Sequence, residues 1–252
     1  MTVRDHPTYP NPTIREVVCE LHFRLDDNIR WDASWYSEFF KRVEDEFPTF
    51  RPVTVPLFIE LARQPSASPG LVIPQVIRYQ HRLRNLLLQL SDNRITVNVL
   101  PSYPGWQQVR EDIRYAWDKL CEVVQPVEVT RIGLRYINAI ERSKADETFD
   151  EWLVTSDYIP SAVLKSHPDF SLQVLVQLGG KDRVQVTLAD QPSPTSLFGT
   201  FIFDIDRITE HSIATDVDSL LQEATRLHDD IWEVFQSAKS NNLERLLQGE
   251  LL

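Results

Sequence analysis

Several groups of side chains in this sequence could carry chemistry. The segment Arg131-Ile132-Gly133-Leu134-Arg135-Tyr136-Ile137-Asn138 sets two arginines around a glycine. On a strand, alternate side chains share a face, so Arg131, Gly133 and Arg135 stand together. Guanidinium forks suit a carboxylate or phosphate. The missing side chain at Gly133 leaves a gap where a ligand or another backbone can approach. With Tyr136, Asn138, Glu20 and His22 these residues form the candidate ligand-binding set. The competing reading is a ladder of internal ion pairs running from the arginines to Glu16 and Glu20.

Glu16, Glu20 and His22 alternate along one strand face. A carboxylate beside a histidine can act as a general acid/base pair, and the same pattern also fits a solvated strand surface. Arg78, Gln80, Arg82 and Arg84 alternate with Ile77, Tyr79, His81 and Leu83. Such a basic face with nearby aromatics could track a nucleic-acid backbone, or pair with acidic neighbours. Asp204 and Asp206 share a face and could hold a hard cation, or be buried against Arg131 or Arg135. His228-Asp229-Asp230 resembles part of a metal-dependent phosphohydrolase motif, but the other histidines and aspartates of that motif are absent at usable spacing. His228 lies on an apolar helical stripe, which predicts a core residue. No catalytic residue, metal site or cofactor is therefore assigned. The seven glycines form neither GxGxxG nor GxxxxGK, and no GxSxG or HExxH occurs. Cys19 and Cys121 have no metal-ligand spacing and read as small buried side chains.

These side chains need strands and helices to position them. Residues 13–25 alternate as a strand. Residues 32–47 follow as a helix, with Asp32 as cap, Trp35, Phe39, Val43 and Phe47 as an apolar stripe, and Pro48 as stop. Strands are predicted at 53–63, 75–90 and 94–100, with a Pro- and Ser-rich loop at 65–70. A helix spans 106–124, burying Val109, Ile113, Trp117, Leu120 and Val124. The second half restarts with a strand at 127–141 and a short helix near 149–153. Strands at 170–178, 183–189 and 198–208 come next, then a long helix from Asp216 and a helical tail. Leu86–Leu90 and Arg94–Val97 find an echo in Val174–Leu178 and Arg183–Val186. The expected fold class is α+β: two similar halves, each strand, helix, antiparallel strands, helix. Residues 1–125 and 126–252 would pack intimately into one curved antiparallel sheet, covered by helices on one face.

Charge divides the halves. Residues 1–125 hold 15 Lys/Arg against 16 Asp/Glu, whereas 126–252 hold 11 against 21. The net charge of −11 disfavours bulk attraction to nucleic acid and permits a basic partner on the second half. The first residues lack a secretory apolar region, and no apolar run is long enough to span a bilayer. A cytoplasmic protein with no membrane partner is expected.

Short blocks in order along the chain resemble a sporadically distributed bacterial family of proteins of about this length. They are Asn11-Pro12-Thr13-Ile14-Arg15-Glu16, Gln89-Leu90 with Arg94 and Asn98, Tyr103-Pro104-Gly105-Trp106, the segment from Arg131 to Asn138, Asp204-Ile205-Asp206, and Leu227-His228 with Ile231 and Phe235. Family members often carry Trp after the strand asparagine, where this chain has Val99. The resemblance implies homology over nearly the whole chain and a bacterial or phage-like source. The family's scattered distribution is like that of mobile, toxin–antitoxin or antiviral-defence genes. No reaction is established for it, so the resemblance brings none.

The leading functional expectation is a non-enzymatic binding or adaptor protein that engages a protein partner. The first alternative is a sensor of a small anionic ligand or nucleotide through Arg131 and Arg135. The second is a hydrolase acting through Glu20 and His22.

Overall fold

The structure, a computed structural model, describes residues 6–53, 76–165, 170–193 and 196–250. Alternation of apolar and polar residues builds β1 (Ile14–Arg24), in which Val17, Cys19, Leu21 and Phe23 are buried. Helix α1 (Ser34–Val43) follows, then β2 (Thr49–Val53), β3 (Val76–Gln80), β4 (Leu86–Ser91), β5 (Arg94–Val99) and α2 (Trp106–Cys121). The second half opens with β6 (Glu128–Glu141), a 3-10 turn at Phe149–Glu151 and the one-turn helix α3 (Ser161–Leu164). It continues with β7 (Ser171–Gly179), β8 (Asp182–Gln191), β9 (Thr200–Thr209), α4 (Val217–Ala238) and α5 (Asn241–Leu247).

All nine strands form one sheet in the order β2-β3-β4-β5-β1-β6-β9-β8-β7, and every neighbouring pair is antiparallel. The expected halves thus meet along β1 and β6. Register gives the two faces opposite chemistry. One row runs Phe50, Tyr79, Leu88, Val97, Cys19, Leu134, Arg207, Val184, Val176. Helices α2 and α4 pack on this face, against β5, β6 and β9. The next row on the opposite face runs Arg51, Arg78, Gln89, Thr96, Glu20, Gly133, Ile208, Arg183, Gln177. An apolar face under helices and a polar opposite face are what period-2 strands in an antiparallel sheet produce. Arg207, the charged member of the first row, is 3% exposed and donates from Nε to Asp230 of α4 at 3.0 Å.

Several local expectations need correction. Residues 75–90 do not make one strand: residues 81–85 break it, because the His81 ring Nδ1 accepts the backbone N–H groups of Leu83 and Arg84 at 3.0 and 2.9 Å. A strand at Thr49–Val53, not expected from the sequence, overlaps the expected 53–63 strand only at Val53; residues 54–63 and the 65–70 loop lie outside the described residues. Asp32 does not occupy the cap position itself. Ala33 does, and the Asp32 carboxylate accepts the Ser34 N–H from one residue further back, at 2.8 Å. The sequence echo falls on β4–β5 and β7–β8. The first hairpin adjoins the central pair, whereas the second is the outer edge, so the echo joins hairpins that occupy different places. Among the described residues no helix is long and apolar enough to cross a membrane.

Trp117 ties the helical layer down. It is 1% exposed, and its Nε1 donates to the Thr215 carbonyl just before α4, at 2.9 Å. Trp117→Ala leaves a large void and is expected to cost about 3–5 kcal/mol of unfolding free energy, readable as a lowered midpoint in urea with an unchanged slope.

Candidate functional site

The candidate residues separate onto two faces. Glu20, His22, Arg131 and Arg135 stand on the polar face. Tyr136 pairs with Val17 and Ile205 on the helical face, and Asn138 shares that face by alternation. The set read from the sequence as one site is therefore two environments.

On the polar face the arginines are paired internally. Arg131 donates from Nη1 to Glu20 at 3.1 Å, and its Nη1 also lies 2.8 Å from His22 Nε2. Arg94 reaches the other Glu20 oxygen at 3.5 Å. Burial opposes ionisation of Glu20, but His22 and the charges of Arg94 and Arg131 outweigh it and hold its pKa down to about 2. His22 Nε2 lies within reach of both Arg131 Nη1 and Glu20, at 2.8 and 3.5 Å. The Glu20 carboxylate is thus held ionised among its basic neighbours. Arg135 grips Asp204 with both fork nitrogens, at 2.8 and 2.6 Å, and Asp204 is 2% exposed. Beside Gly133 the Arg131 side chain leaves room for little more than a methyl: its Nη2 would lie 3.6 Å from an added Cβ, an ordinary contact. Asp206, beside these pairs, behaves differently. Burial raises its pKa to about 6, against the pull of Arg135 and Arg131, with Asp204 and Glu20 adding repulsion.

The alternating face Arg78, Gln80, Arg82, Arg84, which could track a nucleic acid or pair with acidic neighbours, is not one strand: Arg78 and Gln80 lie on β3. The His81-centred turn carries Arg82 and Arg84 off the sheet, and Arg84 forms an ion pair with Asp112 of α2.

The most enclosed feature lies on the helical side. A cavity of about 260 Å³ is bounded by the chain entering β1, the start of α2, β6, β9, α4 and α5. Gly105, at φ +93°, makes the turn that swings Trp106 inward. The Trp106 indole stacks on His228 with ring centres 4.2 Å apart and planes 2° from parallel. His6 stacks on Trp232 at 4.7 Å, and the hydroxyls of Tyr103 and Tyr136 are 3.3 Å apart. Asn138, which also lines the cavity, is fixed by Thr13, whose hydroxyl donates to its Oδ1 at 3.0 Å, and by the Phe203 carbonyl. Burial, helped by His6, pushes the His228 pKa down to about 3, so its ring is neutral. The lining holds no Asp, Glu, Lys or Arg. Two buried nitrogens of the stacked pair, Trp106 Nε1 and His228 Nδ1, have no hydrogen-bond partner among the described residues. A wider groove of about 950 Å³ shares Tyr9, Thr13 and Tyr103 with this cavity.

One set of side chains nearby has metal-ligand character. His6, His228 and Asp229 bring ligand atoms within 4.8 Å of one another. His6 and Asp229 already bond each other at 2.8 Å.

Of this cavity, the sequence reading singled out Tyr136 and Asn138 as binding residues, and missed His6, Tyr103, Trp106 and Trp232. The available signal was a histidine within the apolar stripe of α4. Pro12–Ile14, Tyr103–Trp106, Tyr136, Asn138, Ile205, His228, Ile231 and Phe235, from well-separated stretches of the chain, converge on it. No protein-family model matches the chain, and no curated protein matches it.

Two outcomes follow for the polar face. An added methyl at position 133 meets only ordinary contacts, so Gly133→Ala is expected to keep or raise stability, by up to about 1 kcal/mol. Clear destabilisation in urea would restore the idea of a required gap. For Asp206 the folded state holds its proton more tightly than the unfolded chain does. The stability it permits is full below its ordinary pKa of 3.8 and is lost as pH climbs through about 6. Asp206→Asn should therefore stabilise the protein above that range by about 1–2 kcal/mol, and change little in acid. A gain that is the same at both ends of the pH series would remove this assignment.

Proposed function

We propose that the protein is a binding protein whose cavity encloses a small, uncharged, planar heteroaromatic molecule. The observation that carries this is the pair of buried, unpartnered nitrogens, Trp106 Nε1 and His228 Nδ1, in an aromatic-walled cavity. Buried polar atoms are ordinarily satisfied, and leaving two unmet costs about 1–3 kcal/mol each. A ligand with an acceptor for the indole N–H and a complementary group for the imidazole would satisfy both while stacking on the surrounding rings. The neutral lining disfavours an anion, because a charge there would be desolvated without a counter-charge.

This reading keeps the expectation of a protein that binds, and changes the occupant from a macromolecule to a small molecule. It replaces the anion sensor, since Arg131 and Arg135 already spend their charge on Glu20 and Asp204. The convergence of the family-like blocks on one cavity supports the resemblance as well. We also read the chain as two related halves. Support comes from the strand orders β3-β4-β5-β1 and β7-β8-β9-β6, which both run toward the central pair in the same sense, with β2 added outside the first, and from the long helix that follows the strands in each half.

The test is a thermal-shift panel of neutral nucleobases, indoles and similar heteroaromatics beside small organic and inorganic anions. A neutral heteroaromatic is expected to raise Tm. Trp106→Phe, which keeps a ring and removes the N–H, should weaken that compound about tenfold, the equivalent of one hydrogen bond. The proposal fails if no neutral compound shifts Tm, or if the best stabiliser is an anion whose effect vanishes in Arg131→Gln.

A further inference from the structure

The two outer strands of the sheet are finished in different ways. β2 is five residues long and carries Arg51 and Pro52, both of which discourage pairing with another chain. β7, at the other end, is nine residues long, Ser171-Leu172-Gln173-Val174-Leu175-Val176-Gln177-Leu178-Gly179, with no charge and no proline. Among the described residues it pairs only with β8. Leu175 is 55% exposed and Leu178 45%. A long, uncharged, apolar edge is the kind that natural proteins normally blunt.

Its order of residues says what fits. From Leu172 to Leu178 the strand reads the same in both directions, about Leu175. Antiparallel pairing about a twofold axis sets each residue opposite its mirror position. Centred on Leu175, a second β7 would set Leu172 against Leu178, Gln173 against Gln177, Val174 against Val176, and Leu175 against itself. Each position would meet an identical side chain. The Leu172–Leu178 and Val174–Val176 pairs would extend the row that Val184 continues on the helical side, and the Leu175 pair would stand on the polar face. The glutamine pairs would fall on the polar face and can exchange amide hydrogen bonds. No like charges would be brought face to face along the strand.

We propose that β7 is a self-association edge: two copies of this chain pair their β7 strands antiparallel about Leu175, joining two nine-stranded sheets into one continuous sheet. The inference is independent of the cavity, which lies elsewhere in the fold. It names the partner as a second copy because the strand is complementary to itself.

Analytical ultracentrifugation of the full chain, up to tens of micromolar, is expected to show a concentration-dependent dimer. Leu175→Lys and Leu175→Glu, both at an exposed position, should each be monomeric, since each sets like charges opposite across the axis. Mixing the two should restore the dimer. Under mild oxidation Leu175→Cys should give a disulfide-linked dimer, because position 175 faces its own copy at a bridgeable distance. Gln173→Cys should not, because it faces Gln177. The proposal is overturned if the wild-type chain stays monomeric throughout, if Leu175→Lys dimerises like wild type, or if Gln173→Cys cross-links as readily as Leu175→Cys.

Discussion

The antiparallel ladder between β1 and β6 is the constraint on which the rest of the molecule depends. It joins the two halves of the chain, and its register decides which side chains go under the helices. Cys19 opposes Leu134 and Leu21 opposes Ile132 on one side, while Glu20 opposes Gly133 and His22 opposes Arg131 on the other. A slip of β1 by one residue would turn Glu20 into the core and Leu21 out of it. The register is thus fixed by burial on one face and by ion pairing on the other, two independent penalties for the same error.

The two faces also divide the chemistry. On the polar face, acids and bases face each other at short range and settle most of their charge internally. Removing one partner of such a pair is costly, because the other is left half-buried and unmatched. On the helical face, at one end of the sheet, the cavity holds aromatic rings, phenols and a neutral imidazole. The arginines that attract notice in the sequence are paired with Glu20 and Asp204 across neighbouring strands, and the histidine embedded in an apolar stripe lines the cavity.

Much of the scaffold was legible in the sequence because its signals are local. β1, β6, α2 and α4 are read from periodicity and turn residues to within a few residues of their ends, and of the two cap candidates for α4, Thr215 and Asp216, it is Asp216 that accepts the Ser219 N–H. The division of the 75–90 stretch was not legible. Its cause is a histidine ring capturing backbone N–H groups, which leaves no trace in hydrophobic pattern. The likeness between residues 86–97 and 174–186 reflects a shared hairpin recipe, apolar alternation around a polar turn, more than a shared position in the sheet. The cavity was hidden for another reason: its walls come from residues as far apart as His6 and Phe235. No spacing rule relates them, and only the folded sheet brings them together.

The placement of β1 has a consequence for how the chain emerges from a ribosome. Both of its sheet neighbours, β5 and β6, lie downstream, and the nearer begins at Arg94. β1, with its row of valine, cysteine, leucine and phenylalanine, must wait without its sheet neighbours until some seventy further residues have followed it. Its remaining edge stays open until β6 has been made as well. Late closure of a central strand makes for slow, non-local folding, and the nascent chain carries this apolar row uncovered in the meantime.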